Sequence, residues 1–302
     1  MEQRCEWRPG RPVDLLATLA PLRRGHGDPA NRVDAEGTFW RACATPDGDA
    51  TVALRAHGDR VAATAWGPGA AWVLHSVPAL LGGAGEPAEL DLSAQPVLAE
   101  VARRSPGVRL CATGLVLDQL VPTILEQRVT GLQAHRAWRQ LLRRYGRRAP
   151  GPHPDLWVPP SPSTLLDVPT WTWHRFDVDH TRSRAVRAAA TVARRLEECS
   201  SMPMDDAVAR LRHVPGVGEW TAAETAQRAF GHPDAISVGD FHLADVVVHF
   251  FTGRARGSDE EMVELLEPWR GQRQRIVRLI LASGVSKPKF GPRYAPLDMR
   301  AM

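Results

Sequence analysis

A short turn between two helix-forming segments constrains the fold of this chain more than any other feature. The stretch LRHVPGVGEWTAAETA, residues 211–226, places a proline and two glycines between apolar residues at helical spacing. Glycine permits positive φ, where a side chain would clash, so we expect Gly216 and Gly218 to form a tight turn. Its N–H groups and the positive end of the following helix suit a phosphate oxygen. The alternative is a helix–turn–helix corner whose glycines only permit close packing.

The chain changes character near residue 110. Before it, β-rich runs separated by PDG and HGD turn sequences predict antiparallel strands. These runs are Phe39–Ala44, Ala50–Ala56 and Arg60–Ala65. From residue 115 the apolar residues have helical spacing, and the first helical segment is predicted to end at Gly146. The proline-rich stretch 147–163 predicts a long connecting loop.

These patterns predict a mostly α protein with a small α+β N-terminal domain. We place a mixed α/β domain with an antiparallel sheet at residues 1–110 and a helical core at 111–285. The two helices and turn of the hairpin occupy 206–230, and an irregular C-terminal tail covers 286–302.

Charge permits an anionic partner without requiring one. The net charge is +4, the pI is about 9.2, and only two of the 38 basic residues are lysines. A genome rich in G and C produces that arginine bias with no functional cause, although arginine also binds phosphate in a bidentate manner.

Several classes of protein are disfavoured by the sequence. The four cysteines lie too far apart for an iron–sulfur cluster or a structural zinc site, so we expect no metal on side chains. We find no apolar run of eighteen residues and no secretory leader, and we therefore expect a cytoplasmic, nucleoid-associated protein with no membrane partner.

The segment after the hairpin adds a second constraint. GHPDAISVGDFHL, residues 231–243, brings Asp240 to the start of a further helix. With the hairpin at this spacing, the sequence resembles the helix-hairpin-helix DNA glycosylases, in particular the AlkA-like 3-methyladenine DNA glycosylase II group. The matching elements are LRHVPGVGEWTA, SVGDFHL, LVPTILEQRVTGLQA and EPWRGQR. The resemblance covers most of the chain and implies a glycosylase core of two helical subdomains.

The resemblance implies roles for individual residues. Asp240 matches the family's essential aspartate, which stabilises positive charge on the deoxyribose; in a generic chain it would be a helix N-cap. The hairpin that binds the DNA backbone comprises Val214, Pro215, Gly216, Val217 and Gly218. In resembling proteins, hairpin carbonyls can hold Na⁺ or K⁺, and the chemistry needs no other cofactor.

Two residues of the following helix are candidates for the nucleobase pocket. Trp220 stands where glycosylase/lyases carry the lysine that attacks C1′, which implies a monofunctional enzyme. Its indole face suits a cationic base, although a core aromatic is the alternative. Glu224, one turn further, replaces an aromatic of the best-known relatives. It either lines the pocket or forms an i,i+4 salt bridge with Arg228.

The residue that fills the gap left by a flipped base comes, in resembling proteins, from the turn inside ILEQRVTG. Gln127 and Arg128 are therefore the candidates, and exposed positions at a helix end are the alternative. Arg128 aligns with an apolar wedge of relatives, which changes the mode of plugging.

The implied activity is hydrolysis of the N-glycosidic bond of cationic purines such as 3-methyladenine or 7-methylguanine, leaving an abasic site for base excision repair. The expected partner is double-stranded DNA with damaged bases, bound by a monomer. A catalytically weak helix-hairpin-helix protein that senses lesions or DNA shape is the alternative.

Overall fold

An antiparallel sheet forms the N-terminal part of the computed structural model, which describes residues 2–83 and 89–285. The strand order is β1-β5-β4-β3-β2. The strands are β1 (Glu2–Trp7), β2 (Asn31–Val33), β3 (Phe39–Thr45), β4 (Gly48–His57) and β5 (Arg60–Trp66). The three predicted strands are confirmed to within two residues at each end, because alternation of apolar and polar residues is a local signal.

The sheet packs its buried face against a helix. Alternate residues of β5 are buried, and α2 (Ala70–Leu80) packs on β4 and β5. Phe39, Leu54 and Val77 are fully buried between them. Short helix α1 (Leu15–Leu19) closes the same core.

Helices dominate the remainder of the chain. They are α3 (Pro96–Arg104), α4 (Val116–Leu125), α5 (Gly131–Tyr145), α6 (Pro162–Asp167), α7 (Thr170–Arg175), α8 (His180–Thr191), α9 (Ala193–Glu197), α10 (Met204–Arg212), α11 (Glu219–Ala229), α12 (Leu243–Thr252), α13 (Asp259–Leu266) and α14 (Arg273–Ala282). The mostly helical fold class with a small N-terminal antiparallel sheet is therefore confirmed. Within the described ranges, no helix is long and apolar enough to cross a bilayer.

Two helical segments are divided more finely than their apolar spacing indicates. The segment ending at Gly146 consists of α4 and α5, separated by residues 126–130, which is the turn that the resemblance implies. Thr130 begins α5 with a reciprocal capping box to Gln133. The proline-rich loop also carries a two-stranded sheet, β6 (Arg147–Arg148) with β7 (Trp157–Val158).

Among the described residues, three large apolar clusters and a small fourth one of Ala42, Leu156 and Val158 stabilise these elements. One lies under the sheet, and a second joins α4, α5, α8 and α11. The third joins α12, α13 and α14 and includes Leu98 of α3, which the sequence places in the N-terminal domain. The domain boundaries at 110 and 285 stay predictions, and the tail at 286–302 lies outside the described residues.

Candidate active site

The hairpin turn between α10 and α11 is held by its two valines. Val214 and Val217 are buried in the helical core, and the N–H of Val217 donates to the carbonyl of Val214 at 2.9 Å. Pro215, Gly216 and Gly218 face solvent. The solvent-facing side of the turn therefore exposes backbone, and the proline ring is the only side chain on it.

Gly216 and Gly218 have different structural roles. Gly216 has φ +87°, and a Cβ there would lie 2.6 Å from the Cβ of Ala185 in α8. Gly218 has φ −90° and ψ −172°, so our expectation of positive φ at both glycines is wrong at Gly218. A Cβ on Gly218 would meet nothing within 4 Å. Glycine at 216 is thus required by the fold, whereas glycine at 218 keeps the approach to the turn open.

Gly218 also begins α11, an eleven-residue helix whose first turn receives no side-chain cap. The first N–H groups of a helix lack internal partners and carry its positive dipole end. This end of α11 is therefore a fitting place for a phosphate oxygen.

Asp240 is fixed by three donors. Its Oδ1 accepts from the backbone N–H groups of His242 at 2.8 Å and Leu243 at 2.9 Å, at the start of α12. Its Oδ2 accepts from the indole Nε1 of Trp220 at 3.1 Å. Asp240 thus accepts from the backbone where the chain enters α12, and Trp220, twenty residues earlier, donates to its second oxygen. The sequence does not indicate that contact.

A cavity of about 210 Å³ lies beside this carboxylate. Asp240, Glu224, Arg228 and Arg278 all line it, together with apolar residues of α12 and α14. Trp220 is not among the described lining residues, so its place next to the carboxylate is better established than its predicted place in the pocket. The cavity is smaller than the roughly 300–1,000 Å³ typical of drug-sized ligands and suits a single base.

Glu224 combines both of the alternatives for this position. It lines the cavity and accepts two hydrogen bonds. Its Oε2 accepts from Nη1 of Arg228 at 2.6 Å, and its Oε1 accepts from the Ser237 hydroxyl. Burial by itself raises the pKa of Glu224, but Arg228 and Ser237 outweigh it and hold the pKa below its ordinary value. Glu224 is therefore an ionised carboxylate whose charge is largely offset by its neighbour.

The turn at 126–130 faces the hairpin. Gln127 donates through Nε2 to the Gly216 carbonyl at 2.9 Å and to the Thr221 hydroxyl at 2.8 Å. Arg128 is exposed at the tip of the turn, with φ +53°. Of the two plug candidates, Gln127 thus links the turns in this structure and Arg128 projects into solvent.

An arginine that sequence reasoning missed anchors this turn. Arg24, 3% exposed, donates from Nη1 to both carboxylate oxygens of Glu126 at 2.8 and 2.7 Å. The partners are 102 residues apart, and no local pattern indicates their contact.

Within residues 2–83 and 89–285, no three His, Cys, Asp or Glu side chains form a group able to hold a metal ion. The hairpin carbonyls of Val214 and Gly216 already accept hydrogen bonds from Val217 and Gln127.

Comparisons with known proteins agree with this geometry. No family model matches the chain. Over 155 residues, half of the chain, it is 30% identical to the probable bifunctional transcriptional activator/DNA repair enzyme AlkA of Mycobacterium tuberculosis, in two strains. That match spans 31% of the relative, so the matched half of this chain corresponds to about a third of it.

Solved structures resemble nearly the whole chain. The 3-methyladenine DNA glycosylase of Archaeoglobus fulgidus has a TM-score of 0.77 at 17% identity, covering 92% of this chain and 97% of its own. The 8-oxoguanine glycosylase/lyase of Clostridium acetobutylicum has a TM-score of 0.73 at 12% identity, covering 93% and 97%. The chain therefore has the fold of the helix-hairpin-helix DNA glycosylases, and half of its length is similar in sequence to proteins named as the DNA repair enzyme AlkA.

Proposed function

We propose that this protein is a DNA glycosylase of base excision repair that hydrolyses the N-glycosidic bond of alkylated, cationic purines in double-stranded DNA. The observation that carries the proposal is the position of Asp240. Its carboxylate is held by three N–H donors beside a cavity of base size, and α11 begins at the adjoining hairpin.

The carboxylate suits the chemistry of bond cleavage. As the base departs, positive charge develops on the deoxyribose, and a preorganised carboxylate stabilises it without reorganising. A carboxylate has about four lone-pair sites, of which the three donors to Asp240 use three. The remaining site accepts a proton from the water that attacks C1′, so Asp240 stabilises the sugar cation and also orients the nucleophile.

The mechanism we propose is monofunctional. A lyase needs an amine at C1′, and the side chain next to Asp240 here is the indole of Trp220. The two lysines of the chain, Lys287 and Lys289, lie outside the described residues. Hydrolysis by water then leaves an intact abasic site.

The preference for cationic purines rests on leaving-group chemistry more than on pocket charge. Glu224 and Asp240 are matched in the cavity by Arg228 and Arg278, so the lining has no strong excess of negative charge. A methylated purine that already carries a positive charge departs without a general acid, so the cavity needs none for such a substrate. We propose that the substrate's own charge is the basis of selection.

The test is release of free base from alkylated duplex DNA by the wild type and by Asp240→Asn. We expect wild type to release 3-methyladenine and 7-methylguanine faster than hypoxanthine, and Asp240→Asn to be slower by about 10²–10³-fold. The exposed Asp206→Asn in α10 is the matched control and should retain full activity. Product strands should remain intact until alkali is added, as expected for a hydrolase.

The same assay separates the alternative. Lesion-duplex binding without base release by the wild type would overturn the enzyme proposal in favour of a lesion-binding protein. Equal activity of Asp240→Asn and wild type would reject the role of the carboxylate. Unfolding of both variants in urea checks that each is folded.

A further inference from the structure

In addition to the cavity beside Asp240, the structure has a groove of about 550 Å³ in another part of the molecule. It is formed where the last turn of α5 meets α7. Its lining residues are Gln140, Arg143, Arg144, Tyr145, Pro169, Trp171, Thr172, Arg175 and Phe176. None of them belongs to the cavity or to either turn of the candidate active site. We propose that this groove binds a short single-stranded nucleic acid segment, as a second site independent of base excision.

The first argument is charge. Arg143, Arg144 and Arg175 line the groove and are exposed, and none has an ion pair or side-chain hydrogen bond among the described residues. Elsewhere most buried or half-buried arginines have partners, as Arg24 and Arg228 do. Three guanidinium groups that converge from two helices without a carboxylate leave their bidentate donors free for phosphates.

The second argument is the aromatic surface. Trp171 is 66% exposed although it is among the largest apolar side chains, while its neighbour Trp173 is fully buried. Tyr145 and Phe176 form the wall of the groove, with ring centroids 6.3 Å apart, and the Tyr145 hydroxyl contacts Thr172. An exposed indole beside unpaired arginines provides the stacking surface and backbone contacts that single-stranded nucleic acid requires.

Helix dipoles explain only part of this arrangement. Arg143 and Arg144 lie in the last turn of α5, where positive charge is favourable in any helix. Arg175 likewise ends α7, so a dipole favours each charge within its own helix. That effect does not account for the convergence of both helix ends on one groove, or for the exposed Trp171 in its lining.

Distance makes the groove a separate site. From Thr130, at the turn that faces the hairpin, α5 extends fifteen residues to Tyr145, which corresponds to about 20 Å at 1.5 Å per residue. Base pairs in a duplex are stacked and leave no free face for Trp171, whereas an unpaired strand does. The groove therefore suits an unpaired strand rather than the flank of the duplex that holds the lesion.

The experiment measures fluorescence anisotropy of a labelled ten-nucleotide oligothymidylate with the full chain. We expect Trp171→Ala to weaken binding at least about fivefold, because stacking on one aromatic contributes roughly 1–3 kcal/mol. Arg143→Gln/Arg144→Gln should weaken binding and lower the salt slope by about 1.4, since each phosphate contact to a single strand contributes about 0.7. The matched control is Arg194→Gln/Arg195→Gln, two consecutive exposed arginines near the end of α9, which should change neither quantity.

Competition distinguishes the two sites. Saturating unlabelled duplex with an abasic analogue should leave the oligothymidylate bound, and Asp240→Asn should bind it as tightly as wild type. Displacement by the duplex, or equal affinity of Trp171→Ala and wild type, would overturn the second site. Tighter binding of an oligoglutamate than of oligothymidylate would also overturn it, in favour of an acidic protein partner. Base release measured on the same samples reports the proposed glycosylase activity separately, so each proposal fails by its own result.

Discussion

The turns at 126–130 and 214–218 lie against each other, joined by the hydrogen bond from Gln127 to the Gly216 carbonyl, and each contains one residue with positive φ. In the hairpin that residue is Gly216, with φ +87°, and in the other turn it is Arg128, with φ +53°. A left-handed conformation costs a residue other than glycine roughly 1–2 kcal/mol, whereas glycine adopts it freely. The hairpin avoids this cost, and the other turn accepts it.

The difference follows from what each turn presents. The hairpin exposes backbone at Gly216 and Gly218, so a side chain there would only obstruct a ligand. The 126–130 turn exposes a side chain, because Arg128 stands at its tip. Residues in sparsely populated backbone regions persist where the surrounding structure holds them and cluster at functional sites. The strain at Arg128 thus supports a role for its guanidinium in contacting DNA.

The two turns are also anchored by different forces. Buried valines hold the hairpin, whereas the Arg24–Glu126 ion pair holds the other turn to the N-terminal part. Gln127 then joins them through the Gly216 carbonyl. Each anchor can be removed separately.

The largest effect is expected from Arg24→Met. Arg24 is almost fully buried. Its replacement leaves the carboxylate of Glu126, which is only 18% exposed, without its arginine partner. Removing one member of a buried ion pair costs about 3–5 kcal/mol. Urea denaturation should therefore show a free energy of unfolding lower by that amount.

The double variant Arg24→Met/Glu126→Met tests whether the loss of stability comes from leaving one buried charge without its partner. Replacing both charges by apolar groups of similar volume is often close to neutral, so most of the lost stability should return. If the double variant is as unstable as Arg24→Met, the ion pair is not what anchors this turn.

The next effect distinguishes the two hairpin glycines. Gly216→Ala must adopt positive φ and displace Ala185, so we expect a loss of about 2–4 kcal/mol in the free energy of unfolding. Gly218→Ala, the matched variant, meets open space and should change it by less than about 0.5 kcal/mol.

DNA binding should then order the hairpin variants differently from stability. Gly218→Ala places a methyl group where a phosphate would approach, so we expect severalfold weaker duplex binding in a fully folded protein. Wild-type affinity for Gly218→Ala, measured by anisotropy with duplex DNA, would show that the hairpin is only a packing corner.

Sequence patterns located most of these elements but not their contacts. The strands and the hairpin helices follow from local alternation and spacing, and Asp240 follows from its position after the hairpin. The break at 126–130 has no glycine or proline, so helical spacing alone continues through it. Only Thr130 capping α5 and the left-handed Arg128 end the first helix there.

Contacts between distant residues were beyond local signals. The Trp220–Asp240 hydrogen bond joins residues twenty apart, and Arg24 meets Glu126 across 102 residues. Both contacts depend on how the helices and strands pack together, and no short stretch of the sequence carries a pattern that indicates this packing. The outcome at Gly218 is similar, because glycine is compatible both with positive φ and with the extended backbone observed.

A stability effect of opposite sign is expected at Arg128, and it tests the comparison most directly. Arg128→Gly relieves a left-handed cost of roughly 1–2 kcal/mol but adds about 0.5–1 kcal/mol of chain entropy in the unfolded state. We therefore expect the free energy of unfolding to rise by about 0.5–1 kcal/mol, while base release from lesion duplex falls because the side chain at the tip is lost. Arg128→Lys keeps the backbone strain and the charge, so it should match wild type in stability. A stabilised Arg128→Gly that retains full base release would show that the strained turn presents nothing to DNA, and that the two turns differ only in how they fold.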